Sequence, residues 1–479
     1  MKISNTPLIS LLFLALGVSL VSRESSAFTL NEYLTKVKAD NLSYKGVSEQ
    51  AGGAALKARQ ADLFFTPQLF AEIEMGHDGK ESQPKTSDRI NLENYSFGIA
   101  QQFKFGLQSK VYYKLSKTEF VSPNVMFISL PEYWDASPTV ELSMPLWANG
   151  FGRSAVANQE IVFQKNKAEQ FGSKARSLAY LAQAEATYWK LSAWKDVVRI
   201  QEKALLAAKN ILSYVSRREK MNLGNEGDVV QAKALIEARA FELQLAKNKE
   251  DEVLRSFNRY LNRSSDVSVE SLESINYKSL ENLEIPSGRP GDRYDVKAAE
   301  AQLVLAKASS RLIDEQNKPT LDIYGTYSLN GRDQNSGEAI ANTGHANTDT
   351  SFIGIRFKMP LNLSANSDVK AGAIKSERAA EYQRQFAFYS QQQDWASFTR
   401  SLKDARNNLR LLRRIESAQK TKLMVERSRL QQGRTTTFRV LLFEQDYSQA
   451  AAAKVKAAAG ILALQTQLNL YNFTNKGMN

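Results

Sequence analysis

The 479-residue chain contains no cysteine. That excludes disulfides, thiol catalysis, Cys-ligated metal sites and a lipidated N-terminal cysteine. Histidine is nearly absent. The two present, His77 and His345, fall in expected strand-connecting loops and hold no fixed spacing to carboxylates. They read as solvated side chains rather than ligands or bases. No P-loop, G-x-S-x-G elbow or H-E-x-x-H motif occurs. The pair Glu72 and Glu74 shares one face of an alternating segment and needs no hydrolytic role. The sequence therefore offers no catalytic residue, no metal site and no cofactor site. Long hydrophobic runs are also missing. Beyond Phe28 nothing approaches the roughly 18 consecutive apolar residues of a membrane-spanning helix, and mean hydropathy is -0.40. Any crossing of a membrane must be made by strands.

What is present begins with a leader. Lys2 gives a positive start, Pro7 to Val21 is apolar, and Ser25-Ser26-Ala27 is a small-residue cleavage site. Residues 1–27 read as a secretory signal peptide, with the mature chain starting near Phe28. The formal charge is +12, but Lys and Arg are spread among acids along helical stretches. We read the surplus as a solvated basic surface suited to acidic partners or anionic lipid headgroups, with no nucleic acid.

The main organising feature is an internal duplication. Pro67-Gln68-Leu69 recurs as Pro319-Thr320-Leu321, each time between a helical and an alternating pattern. Met144-Pro145-Leu146 recurs as Met359-Pro360-Leu361, each time closing a strand before a very long helix. Breakers at Asn222 to Gly227 and Gly433 to Thr437 interrupt the two long helices. Pro145 to Asp228 spans 83 positions and Pro360 to Arg439 spans 79, whereas the strand regions differ by 37 residues.

The first repeat, 28–263, is expected to hold a helix opened by a Thr29/Glu32 capping box. Strands follow near 68–76 and 138–146, with an extra hairpin over 94–117. Long helices then cover 153–220 and 228–262. A linker, 264–294, carries Pro286, Gly288, Pro290 and Gly291. The second repeat, 295–479, holds a helix, strands near 320–328 and 351–359, and long helices over 367–432 and 438–472. Between Ala155 and Arg218 there is no proline and only Gly172; some 60 residues of helix extend on the order of 90 Å. Ala and Leu stripes fit coiled-coil-like packing. The strands alternate, for example Leu69, Ala71, Ile73 and Met75 against Phe70, Glu72 and Glu74. That is the dyad of a membrane β-barrel wall, although a half-buried soluble sheet reads the same way.

Each breaker pairs a left-handed-tolerant residue with a new helix start. In the first, Asn222, Gly224 and Gly227 precede Asp228. In the second, Gly433 and Arg434 precede Arg439 and Leu442. Setting Asn222 against Gly433 places Asp228 opposite Arg439.

Together these landmarks resemble the TolC-like outer-membrane efflux protein family over essentially the whole mature chain. The carrying residues are Phe28-Thr29-Leu30, Pro67-x-Leu69, Met-Pro-Leu before each long helix, and Gly227-Asp228-Val229-Val230-Gln231-Ala232. The resemblance implies a mainly α protein with membrane β, whose long α-helical barrel and transmembrane β-barrel are completed by trimerisation. It implies an outer-membrane location with a long periplasmic extension, contact with outer-membrane lipid, and no enzymatic activity. It also implies a periplasmic adaptor (membrane fusion) protein and an inner-membrane transporter as partners, in a tripartite efflux pump or type I secretion system. Pro145 and Pro360 mark the strand-to-helix junctions. Asn222, Gly224, Gly227, Asp228, Gly433, Arg434, Arg439 and Leu442 mark the periplasmic tip or gate. Some members line that constriction with acids, where this chain has Arg439 and Leu442; an Arg439 near the axis would need a partner such as Asp228. Four strands per protomer is the family default, and six would mean an 18-strand barrel. The alternative reading is a periplasmic coiled-coil structural protein that bridges envelope layers without a pore.

Overall fold

A computed structural model describes residues 27–81, 85–269, 271–345 and 348–471. The leader expected over residues 1–27 lies, all but Ala27, outside the described residues. In chain order the helices are α1 (Leu30–Asp40), α2 (Leu42–Lys57), α3 (Arg153–Lys220), α4 (Glu226–Tyr260), α5 (Tyr277–Glu281), α6 (Tyr294–Gln316), α7 (Ser336–Ala341), α8 (Leu363–Gln431) and α9 (Thr437–Asn469). The strands are β1 (Gln68–Asp78), β2 (Arg89–Gln102), β3 (Gln108–Val121), β4 (Glu132–Pro145), β5 (Thr320–Leu329), β6 (Gly331–Asp333) and β7 (Asp349–Lys358). His77 therefore lies within the last two residues of β1, opposite Asn91, rather than in a loop.

Two compact units form. Among the described residues, one comprises residues 27–40 with Ala184–Asn282 and Asn408–Gly460; the other comprises Asn41–Gln183, Leu283–Asn407 and residues 461–471.

In the first unit the chain start is locked by aromatics. The capping box forms, with Thr29 N–H on Glu32 Oε2 at 2.9 Å and Glu32 N–H on Thr29 Oγ1 at 3.3 Å. Tyr33 stacks on Phe257 at 4.2 Å between centroids. Tyr188 donates to the Phe28 carbonyl at 2.6 Å and accepts from Glu273 N–H at 3.0 Å. The long helices bury residues at intervals of seven or fourteen: Ala232, Arg239, Ala246 and Val253 on α4, then Leu409, Leu423 and Leu430 on α8. A seven-residue repeat keeps one seam facing its neighbour, because 3.5 residues then make one turn of a left-handed supercoil.

In the second unit all seven strands form one sheet, ordered β1-β2-β3-β4-β5-β7 with β6 pairing β4. Every pairing is antiparallel. The hairpin that the sequence adds to the first repeat is β2–β3, and it lies inside the sheet between β1 and β4. Its turn is seated by two glycines with left-handed backbones, Gly106 (φ 96°) and Gly152 (φ 78°). A Cβ at Gly152 would meet the Lys104 carbonyl oxygen at 2.1 Å and Gly106 N at 2.8 Å, so only glycine permits this approach. At the start of α6, Arg293 gathers the second unit's helices. Its guanidinium reaches Asp295 at 2.7 Å, Asp394 at 2.9 Å and Tyr471 Oη at 3.2 Å.

Candidate functional site: sheet faces and hairpin tips

The register sorts the sheet into two unlike faces. Leu69, Ile99, Val111, Val140 and Tyr327 are successive Cα partners across five strands. Ile73, Tyr95, Leu115 and Ala136 make a second such row, and Ile323 and Leu321 oppose Ile355 and Phe357. This apolar face is open: Leu69, Ile73, Ile353 and Ile355 are each about 70% exposed or more. Such a patch on one molecule marks a surface that meets lipid or another chain.

The opposite face carries Glu72, Ser96, Lys114 and Ser137 in one row, and Lys110, Glu141 and Thr326 in another. Hydrogen bonds knit it: Tyr112 to Glu141 at 2.8 Å, Asn94 to Glu74 at 3.1 Å and Ser116 to Asn94 at 2.7 Å. Arg332 on β6 clasps Asp135 through two bonds of 2.7 and 2.9 Å. On β4, Met144 and Trp134 lie on the apolar side ten residues apart. That interval is about 33 Å of strand, or about 25 Å of height at a barrel tilt near 40°. The height is of the order of the apolar band of outer-membrane barrels, and its far end is a mixed row in which Lys117 and Glu93 stand beside Trp134.

Both strand-to-helix junctions follow from local chemistry. Pro145 is buried opposite Asp322 at the end of β4. Beyond it, Asn149 turns left-handed (φ 58°), and its side chain accepts from Ser154 and Ala155 N–H at 2.8 and 3.2 Å, capping α3. Buried Glu315 holds the turn from α6 by accepting from Asn149 N–H at 3.2 Å, Arg153 at 3.2 Å and Lys318 at 2.7 Å. Pro360, exposed, follows β7, and Asn362 caps α8 through Ala365 N–H at 3.1 Å. Glu315 carried no sequence signal, since its partners come from distant elements.

At the tips the two repeats end their long helices alike. Asn222 (φ 57°) and Gly433 (φ 70°) are both left-handed. Gly224 packs so close that a Cβ would meet Glu219 N at 2.9 Å. Asn225 then caps α4 by accepting from Gly227 N–H at 3.0 Å, and Asp228 follows in the first turn. In the second tip Arg434 N–H bonds the Arg429 carbonyl at 2.9 Å, while Arg439 and Leu442 stand exposed early in α9. Among the described residues no ion pair joins Asp228 to Arg439 within the chain.

The tip's interior holds what sequence reading missed. Ile211, Val215, Ala232, Leu423, Leu430, Val440 and Leu441 form one apolar cluster, bringing α3, α4, α8 and α9 together. Tyr214 donates to the Leu430 carbonyl at 3.0 Å. Buried acids interrupt this cluster. Glu444 bonds Arg427 at 2.7 Å, and burial lifts its carboxyl above the ordinary range while Arg427 and Arg239 pull it back. Glu426, also buried, accepts from the Thr435 hydroxyl and lies 3.6 Å from Arg429. Arg239 occupies a heptad position on α4 with its Nε and Nη2 unpartnered, and burial lowers its pKa. No spacing rule flags charged residues at core positions of a supercoil, so these acids and arginines read as surface.

Neither a protein-family profile nor a curated protein sequence matches the chain. Solved structures do. The outer-membrane channel OprN superposes with a TM-score of 0.63 at 15% identity, covering 92% of this chain and 89% of that one. CusC, described for transmembrane channel formation, gives 0.64 at 14% identity over 94% and 93%. The outer membrane protein VceC from Vibrio cholerae gives 0.62 at 14% identity over 94% and 97%. The fold is thus that of outer-membrane channels over nearly the whole chain: long helices plus a sheet that is open in the single chain.

Proposed function

We propose that this chain is a protomer of a TolC-like outer-membrane channel. Three copies pool their sheets into one β-barrel and their helices into a periplasmic α-barrel. The assembly receives substrate from a periplasmic adaptor and an inner-membrane transporter and releases it outside the cell. Efflux and type I secretion both fit this route, and cargo choice rests with the transporter.

The observation that carries the proposal is the two-faced open sheet. Its apolar side has the height of a bilayer core, its other side is a polar network, and in lipid an open edge is not tolerated. A second exposed stripe supports assembly: Tyr382, Phe386 and Tyr389 on α8 project at helical spacing and are each more than half exposed. A soluble monomer gains nothing from such a stripe, whereas a neighbouring copy covers it. A pore-free periplasmic bridge has no use for a bilayer-high apolar face.

At the tips the last turn of α3 carries Arg217, Arg218 and Lys220, and the second hairpin exposes Arg434 and Arg439. A basic constriction repels cations. Cell fractionation and planar-bilayer recording test the whole reading. The protein should fractionate with the outer membrane as an oligomer that survives SDS below its melting temperature, and should give discrete conductance steps. Recovery as a soluble periplasmic species without conductance would favour the bridging alternative.

A further inference from the structure

We infer that the barrel this chain builds has eighteen strands, closed by pairing β7 of one copy with β1 of the next. The inference rests on the threefold assembly proposed above and adds the wall's strand number, its seam and its width.

Three features carry it. First, β2 and β3 are full members of the wall. They pair along all fourteen residues of each strand, and β1 and β4 pair on their outer sides. Their residues carry the apolar rows across through Ile99–Val111, Phe97–Tyr113 and Tyr95–Leu115, and the polar network through Asn94, Ser116 and Tyr112. The Gly106–Gly152 approach pins their turn to the β4–α3 junction.

Second, among the described residues the two ends of the sheet lack neighbours and are not protected. β1 is exposed at ten of eleven positions and β7 at eight of ten, whereas β4 is exposed at three of fourteen. Neither edge strand contains proline. Edge strands of soluble sheets are kept short, bulged or blocked by proline and inward charge, and these two are long and carry Leu69, Ile73, Ile353 and Ile355.

Third, parity permits closure. Six strands in an unbroken antiparallel path leave β1 and β7 running in opposite directions. The seam between copies is then antiparallel, as in every bacterial single-chain barrel. The three-residue β6 is a side branch on β4 and does not alter the count.

The consequence is width. With strands about 4.8 Å apart and tilted about 40°, eighteen strands enclose a wall about 36 Å across, against about 24 Å for twelve. Side chains take about 10 Å of either figure. The exit is therefore wide enough for bulky solutes or polypeptide with secondary structure, not only for extended chain.

The chain's lack of cysteine makes the test clean. Paired cysteines placed at Ala71, Ile73 or Met75 on β1 and at Ile353, Ile355 or Phe357 on β7 are oxidised in outer-membrane vesicles. At least one pair should give a ladder that ends at three chains. Single cysteines at Tyr382, Phe386 and Tyr389 report the helical assembly independently. A helix-linked oligomer with no β1–β7 link, or a fast-migrating link within one chain, overturns the eighteen-strand wall and spares the channel reading. A β1–β7 ladder ending at another number overturns the threefold assembly itself.

Deleting residues 89–121 provides a second arm, because removing two strands preserves parity. In bilayers, the size limit for polyethylene glycols entering from the external side should fall by about half in diameter for the deletion. Equal limits for both proteins overturn the inference.

Discussion

Asn222 and Gly433 occupy the same backbone position in the two repeats. They lie 211 residues apart and end their helices with the same two hydrogen bonds. Asn222 N–H reaches the Glu219 carbonyl and Leu223 N–H the Arg218 carbonyl, both at 2.9 Å; Gly433 and Arg434 repeat the pattern on Leu430 and Arg429 at 3.0 and 2.9 Å. This is the Schellman closure, in which a left-handed residue lets the chain satisfy the last carbonyls. The following helices begin at Glu226 and Thr437, again 211 apart.

A β-branched residue is strained in that conformation. Gly433→Val should destabilise the tip by about 1–2 kcal/mol, whereas Asn222→Gly should be neutral or slightly stabilising. Thermal midpoints of the purified protein in detergent check this; equal midpoints for wild type and Gly433→Val would contradict the shared geometry.

Glu444 makes the tip sensitive to acid in a defined direction. Burial raises its pKa above 4.5 in the folded state. The folded form then binds the proton more tightly than the unfolded form. The stability it contributes is present below the unfolded pKa and is lost as pH rises through the folded one. The wild-type midpoint minus the Glu444→Gln midpoint should fall as pH rises from below the ordinary carboxylate range to above it. A flat difference would mean the carboxyl is not desolvated.

Two adjacent acids at the first strand-to-helix junction should behave differently. Buried Glu315 serves Asn149, Arg153 and Lys318, so Glu315→Ala should cost about 2–4 kcal/mol by leaving those groups unmatched. Asp314 keeps 48% of its side chain exposed while it meets Lys318 and Lys370, so Asp314→Ala should cost under about 1 kcal/mol. Chemical or thermal denaturation of both variants decides it; similar losses would remove Glu315 from its anchoring role.

If the basic tip sets ion preference, wild-type channels should favour anions. Arg439→Asp should shift the reversal potential in a salt gradient toward cations, and Arg439→Ala should fall between. Unchanged reversal potentials in both variants would remove Arg439 from the constriction.

Much of this fold was legible because its signals are local. Strand alternation, scarce proline and glycine over α3, and left-handed-tolerant residues at the breakers each follow from backbone chemistry within a few positions. Asn222 and Gly433 could be matched by order alone. The place of β2 and β3 in the sheet could not, because an alternating hairpin has the same pattern whether it joins a sheet or projects from it; only the pairing with β1 and β4, strands from elsewhere in the chain, shows it. The tip's buried charges were hidden for a related reason. Arg239 and Glu444 lie on helices whose exposed faces are charged, and only packing across four helices shows which face turns inward.

The account stands on the claim that one sheet face meets lipid and the other meets water. Single cysteines at Phe97, Ile99 and Val111, and at Ser96, Lys110 and Lys114, can be introduced into this cysteine-free chain and probed in intact outer membranes with a charged, water-soluble thiol reagent. The account predicts that the second set reacts and the first set stays protected until detergent strips the lipid. Equal labelling of both sets before detergent would contradict it.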